Sequence, residues 1–286
     1  MKVTERANPR TRGLDTLSSR RLVALIHRED ARVPAAVARV AGATARAVDA
    51  IVTRLKGGGR LYLVGAGTSG RLAALEAAEC PPTFGTPPSL VRAVIAGGAR
   101  ALTRSVEGAE DDAGAGRRSM RPVRSRDAVI GISAGGSAPF VLAALAEARK
   151  RGAETVLLSC VPAPRAAKRN IAPVVGPEVI AGSTRLKAGT ATKLVLNAIT
   201  VAVMARLGKV HDNLMVDVRP TNAKLRDRAR RLVRELTGRD PGAALAAARG
   251  RVKTAVVMLR RGLGARDAER ALAKHGGNLR GALADR

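Results

Sequence analysis

The stretch "LYLVGAGTSGRLAALEAAECPPTF", Leu61 to Phe84, decides how the rest of the chain is read. Leu61–Val64 is a short apolar run that suits a buried strand, glycines follow at Gly65, Gly67 and Gly70, and a helix-like segment comes next. Strand, glycine turn and helix in that order present backbone N–H groups to an anion. A dinucleotide site would also need an acidic residue about 20 residues on, at the end of the second strand, to hold the ribose hydroxyls. That run ends instead in "VIAGG", Val94 to Gly98, without a carboxylate. Hydroxyls occupy the turn itself, at Thr68 and Ser69, so Gly67, Thr68 and Ser69 read as contacts for a compact anion or a sugar rather than for NAD.

Working outward, five apolar runs alternate with helical segments: Leu61–Val64, Leu90–Ile95, Ala128–Ile132, Thr155–Ser159 and Ile171–Val175. Such alternation predicts an α/β fold, a five-stranded parallel sheet with helices on both faces. Upstream, residues 1–57 read as an arm and helices, with "VPAAVARVAGATARAVDAIVTRL" as one long helix that Gly57 to Gly59 stop. Downstream, residues 226–286 hold only short helical segments broken at "TGRDPG", "RRGLGARD" and "KHGGNLRG", which predicts a small helical bundle. The expected division is therefore 1–57, 58–225 and 226–286.

In an open parallel sheet the loops that follow the strands converge on one crevice. "GISAGGSAPF" after the third strand offers Ser133, Gly135 and Ser137 ahead of Pro139 and a helix, a second cradle of small and hydroxyl residues. "GPEVIAGSTRLKAGTATK" adds Glu178, Ser183, Thr184 and Lys187. Two carboxylates stand near these loops. Glu79 precedes Pro81 and Pro82, which are expected to end the first helix, and Glu110 lies in "SVEGAEDD" after the second strand. A pair of carboxyl groups beside a sugar phosphate suits acid and base work.

The formal charge of +28 does not by itself indicate nucleic acid. The basic residues are scattered, and with two Phe, one Tyr and no Trp the chain lacks the stacking platforms of single-strand or RNA binding. No specific nucleic-acid partner and no membrane are expected, and the polar start "MKVTERANPRTRG" has no signal-peptide character, which points to the cytoplasm. Cys80 and Cys160 read as reduced thiols, and His27, His211 and His275 fall in no metal pattern, so neither a metal nor a cofactor is expected.

Six motifs, "TERANPRTRGLDTLS", "GGGRLYLVGAGTSGRLAALEAAECPPTFG", "SVEGAEDD", "GPEVIAGSTRLKAGTATKLVLN", "NLMVDVRPTNAKL" and "KHGGNLR", resemble in order and spacing those of the N-acetylmuramic acid 6-phosphate etherases. The resemblance covers nearly the whole chain. It implies a sugar isomerase (SIS) fold, a three-layer αβα sandwich with a small carboxy-terminal helical bundle, assembled as a homodimer with active sites near the subunit interface. The implied reaction removes D-lactate from N-acetylmuramic acid 6-phosphate with water. On this resemblance Glu79 and Glu110 are the catalytic carboxyl groups and Lys224 in "TNAKL" is a helper. At one place the chain departs from the pattern: "AGGSAPF", Ala134 to Phe140, stands where many members read "ASGRTPY". That local form is similar to the glucokinase regulatory protein, which makes a non-catalytic sugar-phosphate-binding regulator the alternative expectation.

Overall fold

The computed structural model describes residues 2–162, 166–218 and 222–285. Arg219 to Thr221 of the "NLMVDVRPTNAKL" motif lie outside them. Five strands, β1 (Leu61–Gly65), β2 (Val91–Ile95), β3 (Ala128–Ile132), β4 (Glu154–Leu158) and β5 (Arg169–Ile171), form one sheet in the order β2-β1-β3-β4-β5. Every pairing is parallel. Gly65 faces Ile95 on one side and Ile132 on the other, and Ile132 faces Leu158, so four strands end flush.

Each residue of β1, β3 and β4 is buried, as strands covered on both faces require. The helices up to the end of this part of the chain are α1 (Ser19–Asp30), α2 (Val33–Ala38), α3 (Ala41–Lys56), α4 (Gly67–Phe84), α5 (Ala113–Ser119), α6 (Pro139–Lys150) and α7 (Lys187–Arg206), and of these α3 and α6 pack on the central strands. α6 lays Phe140, Val141 and Leu145 against Tyr62, Val64, Val129 and Leu157. Alternation along the strands turns their other residues to the opposite face, where α3 packs on β3, β4 and β5.

Three local expectations are corrected. The single long helix is two, because α2 buries Val33 and Ala36 in a cluster with Cys160, Val175 and Ala191 whereas α3 serves the sheet, and one straight rod cannot serve both. β5 stops at Ile171 instead of running from Ile171 to Val175, since Pro173 has no N–H for a ladder. α4 continues through Pro81 and Pro82 to Phe84, where Gly85 at φ +63° donates its N–H to the Pro81 carbonyl at 2.9 Å. Burial of Cys80 and Phe84 stabilises those last turns.

The chain divides into two compact units, 1–78 with 89–200, and 79–88 with 201–286. The partition differs from the expected one. The opening arm belongs with the sheet because Thr11 Oγ1 donates to the Val179 carbonyl and Asn8 to that of Pro177. Residues 201–225 fall with the helical unit because Val216 and Val218 sit in its core, beside Leu232, Val256 and Leu279. That unit is built from α8 (Ala223–Thr237), α9 (Gly242–Ala247), α10 (Val252–Arg261), α11 (Ala265–Lys274) and α12 (Leu279–Ala284). Residues 79–88 join it too: a Cβ on Gly85 would lie 2.0 Å from the Asp217 carbonyl oxygen. Within it, the Lys253 ammonium donates to the carbonyls of Gly208 and Gly277 at 2.7 Å each and pairs with Asp217. α7 has the length and apolarity of a membrane-crossing helix, but 56% of its apolar window is buried inside the protein.

Candidate active site

Two loops at the flush strand ends build the floor of the site. In the first, Gly65 and Gly70 are needed for closeness: a Cβ on Gly65 would meet Gly70 N at 2.6 Å, and one on Gly70 would meet Ile95 Cγ1 at 2.4 Å. Gly67 turns the chain at φ +52°, in left-handed space open to glycine. The result sets Thr68 and Ser69 in the first turn of an 18-residue helix, where the dipole favours anions. In the second loop the buried Ser133 is the pivot. Its N–H donates to the Leu158 carbonyl, its carbonyl accepts from Gly136 N at 2.8 Å, and its hydroxyl accepts from Ala138 N at 3.3 Å. Those bonds fold "SAGGSA" tightly against α6 and leave Ser137 exposed.

Between the loops lies a cleft of about 510 Å3. Gly67, Thr68 and Ser69 line it from one loop, Ser133, Gly135 and Ser137 from the other, and Thr184 from the segment before α7. Glu110 also lines it, together with Asp111. Glu110 sits in a 3-10 turn, Ala109–Asp111, held from behind by Asp112, whose carboxylate accepts from Ala115 N at 2.7 Å and caps α5. The Glu110 side chain is exposed and also borders an adjoining recess of about 320 Å3 that Arg71 and Arg104 share.

The remaining candidates stand elsewhere. Lys187 is fully buried, and its ammonium donates to Glu29 Oε2 at 2.7 Å rather than opening to the cleft. Glu178 is fully buried as well, its two oxygens accepting from the N–H groups of Lys187 and Ala188 at 3.0 and 2.9 Å, which caps the start of α7. These two side chains position the segment that carries Thr184. Ser183 lies between the cleft residues Gly182 and Thr184 without lining the cleft itself. Glu79 is exposed on α4 and Lys224 is exposed on α8, and neither is part of the lining.

Lys187 belongs to a network centred on Glu29, which also accepts from Asn8 Nδ2 and from Arg10 Nη2 at 2.9 Å each. The Arg10 guanidinium, followed by Lys187 and Asn8, holds the Glu29 carboxyl well below the usual carboxylate range against the opposing effect of burial. Burial acts the other way on Glu178, raising it despite the two N–H bonds, and pushes the Cys160 thiol up to about 12. Both cysteines are buried and outside any disulfide.

Sequence reasoning missed Lys2 and Glu5, which line the cleft from the opening arm. The "TERANPRT" motif was the available signal, but an arm without periodicity gives no face from which to infer a direction. Among the described residues no group of three or more His, Cys, Asp or Glu is placed to hold a metal ion. Hydroxyls, two helix N-termini and carboxylates are suited to grip a phosphorylated sugar and move protons on it.

The profile of the glucokinase regulatory protein N-terminal SIS domain matches residues 43–149. An N-acetylmuramic acid 6-phosphate etherase of Gloeobacter violaceus is 56% identical over 264 residues, which cover 90% of this chain and 86% of that protein. One from Rubrobacter xylanophilus is 52% identical over 291 residues, covering 99% and 96% respectively. Among solved structures, a phosphoheptose isomerase from Francisella tularensis superposes with a TM-score of 0.49 at 16% identity, over 66% of this chain and 100% of its own. At such identity over nearly its full length, the chain belongs to the N-acetylmuramic acid 6-phosphate etherase family.

Proposed function

We propose that the protein cleaves the D-lactyl ether of N-acetylmuramic acid 6-phosphate with water, as a carbon-oxygen lyase acting by elimination and then hydration in cell-wall sugar recycling. The observation that carries this reading is the meeting of Glu110 with two hydroxyl-lined helix N-termini in one cleft. An ether resists direct displacement. In the open-chain sugar, however, the carbon bearing the acetamide adjoins an aldehyde, so a base can remove its proton to give an enolate. The neighbouring carbon–oxygen bond then breaks, and an acid delivers a proton to the departing oxygen, which leaves as the hydroxyl of D-lactate. Water adds to the same carbon as a base takes its proton, and the acetamide-bearing carbon is reprotonated. One water is consumed and no electrons are exchanged.

Glu110 supplies one carboxyl group in this reading, and Glu79, by the family pattern, the other. Each proton transfer is worth about 100-fold to 10,000-fold in rate. Thr68, Ser69, Ser133, Ser137 and Thr184 hold the sugar and its phosphate, and Lys224 remains a helper. Glu79 reaches the substrate in a homodimer. Exposed apolar residues support that assembly: Leu75 on α4 is 44% exposed, and Leu194 and Val201 on α7 are 39% and 53% exposed, at helical spacing. Buried thiols outside any disulfide suit a reducing cytoplasm.

The test is release of D-lactate from N-acetylmuramic acid 6-phosphate by the wild-type protein, with Glu79→Gln and Glu110→Gln alongside. Lactate from wild type and its loss from both variants is the expected result. Tight binding of the sugar phosphate without lactate would contradict it. Sedimentation should give twice the chain mass, and a monomer at assay concentration would remove Glu79 from its proposed place.

A further inference from the structure

The cleft is acidic inside a strongly basic chain. Among the described residues that line it, Glu5, Glu110 and Asp111 are negative and Lys2 alone is positive, whereas the chain carries a formal +28. A phosphorylated muramic acid brings a phosphate of about −2 and a lactyl carboxylate besides. Three carboxylates repel such a ligand unless a cation sits upon it. Helix N-termini contribute only about half a charge each. The loop from Ser133 to Pro139 contains no Lys or Arg of its own.

Lys2 stands where that cation is wanted. Its ammonium donates to Ser137 Oγ and would lie 3.7 Å from a Cβ on Gly135, so it hangs over the loop that opens α6. The arm that carries it is fixed. Thr4 is fully buried and its carbonyl accepts from Gly182 N at 2.9 Å, while Asn8 and Thr11 are bonded to the Pro177 and Val179 carbonyls. In the adjoining recess the Arg71 guanidinium is engaged by the carbonyls of Leu102 and Arg104 at 3.1 and 3.0 Å.

We propose, resting on the etherase reading, that Lys2 is a substrate-binding residue: with Ser137 it ligates the sugar's phosphate at the start of α6, supplying the positive charge that the loop lacks. The arm is thereby a working wall of the site rather than packing alone. Because Lys2 is assigned to the phosphate and transfers no proton in the reaction, its loss weakens binding and leaves proton transfer intact.

The experiment is calorimetric titration of wild type, Lys2→Met and Lys2→Arg with N-acetylglucosamine 6-phosphate, which carries the phosphate but no lactyl group. Lys2→Met weakens binding about 10-fold or more and flattens its dependence on salt. Lys2→Arg restores most of the affinity. In turnover, KM rises in Lys2→Met while kcat stays within about 2-fold. Unchanged affinity of Lys2→Met for N-acetylglucosamine 6-phosphate would overturn the proposal, and a raised KM for the lactyl substrate in that case would place Lys2 on the carboxylate instead. Lys2-dependent binding in a wild-type protein that releases no lactate would refute the etherase reading and leave the role of Lys2 standing.

Discussion

The cleft and the network around Glu29 use the same residue types to opposite ends. Both hold carboxylates, a lysine and hydroxyl or amide groups, and one stretch of chain, "GPEVIAGSTRLKAG", contributes to both. Glu178 and Lys187 go to the network, and Gly182 and Thr184 to the cleft. In the network Glu29, Glu178 and Lys187 are buried and partnered, while the part-exposed Arg10 closes it from the surface. In the cleft Glu110 and Ser137 are exposed and open to a ligand. A polar side chain closed by partners holds the backbone in place, while one left open can act on a substrate, and the type of residue alone does not distinguish them.

Substitutions can break that contrast. Glu110→Gln should lower kcat about 1,000-fold with little change in Tm, since the side chain is exposed. Normal turnover in this variant would deny the cleft its chemistry. Lys187→Met should do the reverse, destabilising the fold by about 3–5 kcal/mol because it leaves the Glu29 carboxylate buried with fewer partners. Denaturant unfolding reads the loss, and the folded fraction should keep its KM. A large rise in KM at unchanged stability would put the network inside the site.

A pH series sharpens the same contrast. The folded-state value of Glu29 is depressed from an ordinary 4.5, so its contribution to stability is complete above that pH and is lost as pH falls below it. Glu178 has the opposite sign: its folded value is raised, so ionising it opposes folding above its ordinary range. Thermal unfolding between about pH 6 and pH 3 should therefore show a flatter acid limb in Glu29→Gln and a steeper one in Glu178→Gln. The smallest effect belongs to Ser69→Ala, which should raise KM by a few-fold, about 0.5–1.5 kcal/mol for one hydrogen bond, at constant Tm.

The sequence made the layered α/β fold legible because strands buried on both faces read as continuous apolar runs, and four of the five lie within a residue of their expected positions. It was misleading where a local rule met a packing demand. Pro81 and Pro82 did not end α4, and the Ala/Val run from Val33 broke where two helices face different partners. The cleft was legible through its glycine and hydroxyl loops, since those positions follow strand ends. The arm was not, because Lys2 and Glu5 reach the cleft through contacts spanning more than a hundred residues of chain, such as Lys2 with Ser137. Lys187 and Glu178 carried no mark in the sequence that their charges would be closed by Glu29 and by two backbone N–H groups.

The most direct test of the account follows the oxygen atoms. N-acetylmuramic acid 6-phosphate is incubated in heavy-oxygen water with wild type or Glu110→Gln, and both products are weighed by mass spectrometry. The account predicts heavy oxygen in the N-acetylglucosamine 6-phosphate at the former ether carbon, none in the D-lactate, and both products from folded Glu110→Gln formed about 1,000-fold more slowly. Heavy oxygen in the lactate, or undiminished product from Glu110→Gln, would contradict it.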